Sequence, residues 1–299
     1  MAVKNRAASA LARLRNQAKT EGINYQTCLQ LFFQEEFLRR LSHSKYRGNL
    51  VLKGGMLIYT LTDFDSRPTR DMDFLIRSLS NDLANIMSVM KEICAVHTEN
   101  DYILLEVIDA EQITLEKKYP GVKTKFMGHI NNVRVPFSVD IGIDDIIVPD
   151  AMLRRLSTRL EGFEAPEIYT YSLESTISEK FDAILQRMET TSRMKDFFDI
   201  YYLSSVFDFS GRTLKEAVML TAEHRRRVLE HDAFMRIREF ADNPFLKTQW
   251  VRFEPASESK LEFSEVLHRL DQFLYPVYDA VLNNADFDRQ WSSSCKSWK

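Results

Sequence analysis

Apolar positions change their spacing along the chain, and the changes divide it. Residues 25–41 show helical spacing, Leu50, Val51 and Leu52 make a short apolar strand, and Lys53, Gly54 and Gly55 read as a turn that opens a helix over 56–61. A loop containing Pro68 leads to a strand over 71–76 and a long helix over 81–96, capped by Ser80 or Asn81. Strands are expected at 102–108, 113–116, 123–130 and 133–143. From residue 172 the spacing turns helical and stays so, over 173–188, 195–206, 213–240 and 257–282. The pattern predicts an α+β chain: an N-terminal helical segment at 1–49, a mixed-sheet core at 50–150 and a C-terminal helical bundle at 151–299. Residues 149–166 read as the joint and 286–299 as a frayed tail.

Composition narrows the class. With 44% apolar residues over 299 positions the chain can bury a sizeable core, and 9 Gly and 8 Pro against 20 Phe exclude a collagenous or disordered chain. The absence of a long apolar run or an apolar leader predicts a cytoplasmic protein with no membrane partner. Cys28, Cys94 and Cys295 lack C-x-x-C spacing, so reduced thiols are expected rather than a disulfide framework or a zinc site. A net charge of −3 gives no general attraction for nucleic acid, but Lys4, Arg6, Arg13, Arg15 and Lys19 stand in the first 20 residues without an acid. That stretch reads as an amphipathic helix packed over the domain, with RNA contact and an organellar presequence as alternatives.

The chemistry concentrates in acids. Asp71 and Asp73, two apart on the expected strand, project to one face while Met72, Phe74 and Ile76 point to the other. Paired carboxylates repel, and a divalent cation offsets that repulsion; Mg²⁺ binds through one or two carboxylates plus substrate phosphates. A solvated sheet face would carry the same pair. On 133–143 the same alternation places Ser138, Asp140 and Gly142 opposite an apolar face, making Asp140 a candidate third carboxylate or a solvent-facing acid. Asp144 and Asp145 read as turn or cap residues. Gly54 and Gly55, between strand and helix, suit close approach of a phosphate, although a tight turn needs the same residues. Walker, dinucleotide-binding, zinc-protease and serine-hydrolase motifs are missing from the sequence.

In the helical half, Lys180 and Arg187 share a helix face, and Arg193 to Asp199 open the next helix, where Asp196 suits the first turn. Functionally, Lys180 and Arg193 would hold triphosphate oxygens, and Asp196 would aid proton removal or orient these cations. Arg225, Arg226 and Arg227, expected on a helix, read as a solvated face or a contact for nucleic-acid phosphates.

Taken together, Leu52-Lys53-Gly54-Gly55, Arg67-Pro68-Thr69-Arg70-Asp71-Met72-Asp73-Phe74, Glu179-Lys180 with Arg187, and Arg193 to Asp199 resemble the AbiEii family of nucleotidyltransferase-like toxins, within the DNA polymerase β-like superfamily. The resemblance spans residues 50–205 and implies a nucleotidyltransferase-like mixed sheet followed by helices. It implies a toxin of a toxin–antitoxin or abortive-infection system that transfers a nucleotide from an NTP to RNA, with tRNA 3′ ends as an acceptor, and a cognate antitoxin as partner. Carried over by position, Asp71 and Asp73 hold Mg²⁺ with Asp140 as third ligand, Lys53, Gly54 and Gly55 lie at the triphosphate with Arg193, Lys180 holds nucleotide phosphates, and Asp196 completes the site. Met56 stands where the wider superfamily often has Ser, which removes one phosphate contact. A phosphate on Thr69 would repel the triphosphate. Competing readings are a nucleotide-binding interaction module without transfer activity and a transferase acting on a small molecule or protein.

Overall fold

The structure is a computed structural model that describes residues 5–113, 121–143, 145–253 and 261–299. Lys4, the strand expected beyond residue 113, Asp144 and the start of the helix expected from 257 lie outside the described residues. The chain divides into two compact units, Met1–Asp144 with Met152–Thr170, and Asp145–Ala151 with Tyr171–Lys299.

The first unit begins with α1 (Arg6–Thr20), which buries Ala7, Ala10, Leu14 and Ala18, and α2 (Tyr25–His43), against which α1 packs. The basic stretch is thus a helix whose apolar stripe covers the domain. Then come β1 (Leu50–Lys53), α3 (Gly54–Leu61), β2 (Asp73–Ile76), α4 (Leu83–Cys94), β3 (Ile103–Ile113), β4 (Gly121–Ile130), β5 (Val133–Gly142), β6 (Met152–Arg155) and β7 (Glu167–Thr170). Their sheet runs β3-β4-β5-β2-β1-β7-β6; β2 lies parallel to β5 and β1 parallel to β7, with the other pairs antiparallel. Helices α2 and α4 cover one face, onto which Phe37, Phe74, Phe126 and Val139 are buried. That leaves the alternate residues of β4 and β5 on the opposite face.

Several boundaries differ from the sequence reading. Strand β2 starts at Asp73, so Asp71 precedes it, and Leu75 is buried along with Phe74 because β2 is central and covered at that end. Helix α3 includes Gly54 and Gly55 as its first turn. Helix α4 is capped by Asp82, whose carboxylate accepts the Asn85 N–H at 2.9 Å, while Ser80 donates to Asp82. The expected strands at 102–108 and 113–116 form one strand as far as the described residues go, because a bulge between Val107 and Asp109 breaks its alternation. The stretch read as a joint contributes β6, which closes the sheet edge.

The second unit holds α5 (Leu173–Arg187), α6 (Met194–Val206), β8 (Phe209–Ser210), α7 (Gly211–His224), α8 (Ala233–Glu239), α9 (Pro244–Phe253), α10 (Phe263–Leu282), β9 (Gln290–Ser292) and β10 (Ser297–Trp298). Aromatic residues fill its core: Phe197 packs edge-on against Phe263, and Phe181 against Tyr278. The helix expected over 213–240 is broken after His224, where Arg225 and Arg227 turn to ion-pair with Asp182 on α5. The tail is not frayed: β9 pairs with β8 and β10, Trp291 is buried, and Trp298 stacks on Phe273. No helix among the described residues is long and apolar enough to cross a membrane. The three cysteines are free, Cys28 and Cys94 buried and Cys295 exposed.

Candidate active site

Register builds the first part of the site. Across the sheet, Lys53 on β1 is the Cα partner of Asp73 on β2, Asp73 of Asp140 on β5, Asp140 of Lys123 on β4, and Lys123 of Glu111 on β3. Side chains at paired positions share a face, so two acids stand side by side between two lysines. The Asp140 N–H donates to the Met72 carbonyl at 2.8 Å, which extends the β2–β5 pairing one residue toward Asp71.

Gly54 lies tight against this row. Its φ is +71°, and a Cβ there would come within 3.1 Å of the Asp73 Cγ. Glycine is required twice over, for the left-handed backbone and for the missing side chain. A Cβ on Gly55 would sit 3.0 Å from Thr69 Oγ1. Thr69 is itself buried, and its hydroxyl accepts the Asp71 N–H at 3.4 Å, a contact that a phosphate on Thr69 would displace. Helix α3 begins at these glycines, so its first N–H groups and its positive dipole end lie beside Asp73.

A second support was missed in the sequence reading. Gln30 and Gln34 on α2 both donate to the Arg70 carbonyl, at 2.9 and 2.8 Å, and Arg70 donates back to Thr27 Oγ1 at 3.0 Å. Thr27, Gln30 and Gln34 stand at i, i+3 and i+7 and so share one face of α2, and that polar stripe was the available signal. It pins the residue immediately before Asp71.

Asp140 is half-buried, and burial pushes its carboxyl above the usual carboxylate range; Lys123 pulls the other way, while the Asp71 charge adds to the rise. Asp140 Oδ1 has no hydrogen-bond partner, and Lys123 Nζ approaches it at 3.4 Å. Among the described residues, no three His, Cys, Asp or Glu side chains are grouped as a metal cage. A half-buried carboxylate whose Oδ1 has only a long ion pair to Lys123, beside the Asp71 charge, nevertheless fits a cation that draws its remaining ligands from substrate phosphates. Beside Asp71 opens a cavity of about 480 Å³ with an apolar lining of Ile108, Met127, Pro136 and Phe137 and with Arg70, Lys123 and Lys125 at its walls.

The remaining candidates lie in the second unit. Lys180 Nζ on α5 is 2.6 Å from Asp199 Oδ2 and 3.3 Å from Asp196 Oδ1, and Arg193 Nε is 2.6 Å from Asp196 Oδ2. Burial alone would push the Asp196 carboxyl up, but Lys180 and Arg193 outweigh it and hold the group below its ordinary range. Asp196 is thus a permanent anion that orients two cations and is a poor proton acceptor. Arg187, seven residues from Lys180, takes no part in this cluster and lines a different cavity. Asp145, read as a turn residue, ion-pairs with Arg225 at 3.2 Å.

A sheet that seats two acids on adjacent parallel strands beside a glycine-started helix, followed by a helical unit, is the fold of nucleotidyltransferase toxins. The chain is similar to MenT4, a nucleotidyltransferase toxin from Mycobacterium tuberculosis H37Rv, with a TM-score of 0.55 and 16% identity over 91% of this chain and 98% of that one. It is also similar to JHP933 from Helicobacter pylori, with a TM-score of 0.49 and 14% identity over 87% of this chain and 95% of that one. Residues 36–282 match the family described as nucleotidyl transferase AbiEii toxin, type IV toxin–antitoxin system, and the chain belongs to that family. No curated protein matches the chain.

Proposed function

We propose that this nucleotidyltransferase toxin transfers a nucleotide from an NTP to an RNA acceptor, the 3′ end of tRNA being the first acceptor to test, with Mg²⁺ as cofactor. The observation that carries the reading is the register of Asp73 opposite Asp140, with Asp71 two residues ahead and Gly54 packed against Asp73. Asp71, Asp73 and Asp140 would hold the metal, which when bound supplies Lewis-acid charge at the reacting phosphate. The chain's own groups do the rest. Backbone N–H groups at Gly54 and Gly55 bind phosphate oxygens at the positive end of α3, with Lys53 alongside. The cavity beside Asp71, lined by Met127 and Pro136 with Lys125 at its wall, is proposed to receive the acceptor nucleotide.

The acceptor hydroxyl oxygen forms a bond to the α-phosphorus, the bond from that phosphorus to the bridging oxygen breaks, and pyrophosphate leaves. The hydroxyl proton is proposed to pass to a carboxylate of the Asp71, Asp73 and Asp140 row. Lys180 and Arg193 are proposed as phosphate-binding cations, held in orientation by Asp196. Incubating the protein with each α-labelled NTP, Mg²⁺ and total RNA or cell extract tests the reading. Label on RNA supports it; label on protein or a small molecule, or no incorporation, refutes it. A cognate antitoxin is the expected partner, and co-expression would show whether it relieves the toxicity.

A further inference from the structure

Arg225, Arg226 and Arg227 are adjacent in sequence but have separate fates. Arg225 ion-pairs with Asp182, Asp145 and Glu179, and Arg227 with Asp182 at 2.6 Å. The middle residue goes elsewhere. The Arg227 N–H donates to the Ala222 carbonyl and the Arg226 N–H to the Glu223 carbonyl, so α7 ends in a Schellman cap with Arg226 at the left-handed position, φ 52°. That position ordinarily takes glycine or asparagine, because other side chains are strained there. Here the strained residue projects an exposed guanidinium instead.

It lines a cavity of about 450 Å³. At the end of α5, Arg187 reaches the same cavity just before Met188, a second residue with positive φ, at 43°. Two non-glycine residues with positive φ, each at a helix C-terminus, thus border one cavity. The charges do not cancel. Arg236 takes Glu189 through Nε and Nη2, both at 2.9 Å, and Glu230 through Nη1 at 3.0 Å, while Arg227 is occupied by Asp182. Among the described residues, no ion pair or hydrogen bond engages the guanidinium of Arg187 or Arg226, and both residues are exposed. Arg187 and Arg226 thus add two positive charges to a lining that also carries the Glu189 and Glu230 carboxylates.

We propose that this cavity is a phosphate-binding site of the second unit that takes backbone phosphodiesters of the RNA acceptor, an inference that rests on the RNA reading above. The charge arrangement selects the ligand. A nucleoside triphosphate would bring three or more negative charges at once into a lining that also carries the Glu189 and Glu230 carboxylates. A polynucleotide brings one charge per phosphate and can offer successive phosphates to Arg187 and Arg226 separately, each in the forked geometry that guanidinium offers to phosphate oxygens.

The test measures binding without Mg²⁺ or NTP, by fluorescence anisotropy of a fluorescein-labelled uridine homopolymer titrated with the full-length protein at several salt concentrations. Losing two phosphate contacts lowers the slope of log affinity against log salt by about 1.4, since each contact to a single strand contributes roughly 0.7. The double variant Arg187→Gln/Arg226→Asn is expected to show that drop with at least ~10-fold weaker binding at low salt. The charge-matched variant Lys247→Gln/Arg252→Gln is expected to stay within ~2-fold of wild type, because its charges lie away from the cavity lining. Arg226→Gly relieves the left-handed strain, so it should be at least as stable as wild type and still bind RNA more weakly, which separates contact loss from misfolding.

Unchanged affinity and slope in the double variant would overturn the proposal. So would equal weakening by the charge-matched pair. Wild-type protein that binds RNA through these arginines yet labels none of it leaves this site standing and refutes the transfer reading instead.

Discussion

Replacing Gly54 by alanine separates the geometry of the carboxylate row from its chemistry, because no charge changes. Two penalties are legible in the structure. At φ +71° an alanine pays the left-handed penalty, about 1–2 kcal/mol. Its Cβ would also lie 3.1 Å from Asp73 Cγ and 3.2 Å from Asp73 Cβ, with the Oδ2 oxygen nearer still, so the carboxylate must swing aside. Displacing a reacting or metal-holding group by about 1 Å costs on the order of 10²-fold in rate. Gly54→Ala is therefore expected to lower nucleotide transfer by roughly 10²-fold with only a few degrees lost from the unfolding midpoint. Gly22 supplies the control: its φ is +66° and nothing lies within 4 Å of its would-be Cβ, so Gly22→Ala carries the same backbone strain without the collision. Initial rates with α-labelled NTP, read beside thermal unfolding of both variants, decide the matter. Wild-type turnover in Gly54→Ala, or an equal rate loss in Gly22→Ala, would refute the argument that Asp73 must stand where the glycine allows it.

Three further outcomes are expected. Asp71→Asn and Asp73→Asn should each lower turnover by at least ~10²-fold while the protein stays folded, as removal of a key electrostatic group commonly does; near-normal labelling by either variant would remove it from the site. Asp140 keeps its proton to higher pH in the fold than in the unfolded chain, so its contribution to stability declines as pH rises from the unfolded value through the raised folded one. Asp140→Asn should consequently raise the urea midpoint of the metal-free protein at neutral pH, abolish that pH-dependent decline and weaken transfer, whereas a less stable variant would contradict the burial argument. Lys180→Met leaves Asp196 and Asp199 buried without their shared cation, and a loss of about 3–5 kcal/mol is expected, partly restored by adding Asp199→Asn; an unchanged urea midpoint in the single variant would show that the cluster is not held by Lys180.

Local pattern carried the reading wherever one residue's neighbours in sequence decide its state. The alternation of Val133, Val135, Phe137 and Val139 against Ser138 and Asp140 set which face Asp140 occupies, and the sheet kept it. The glycine pair between an apolar strand and an apolar helix marked the turn at Gly54, and the motif series from Leu52 to Asp199 was enough to indicate the family. Pattern failed where distant partners intervene. Helical spacing over 213–240 could not reveal a break at Arg226, because the turn is held by Asp182 from another helix. The polar-looking tail could not reveal that Trp291 and Trp298 find Phe273 and fold it down.

By itself, then, the sequence determined the acids, the glycines and the face on which each lies, since periodicity and backbone sterics act over a few residues. Only the tertiary structure decided that Asp73 lies opposite Asp140, that Gln30 and Gln34 brace the residue before Asp71, and that Arg226 stands apart from its paired neighbours. Those three depend on pairings between segments 36 or more positions apart, whose energies come from strand register and buried charge compensation that no local spacing encodes.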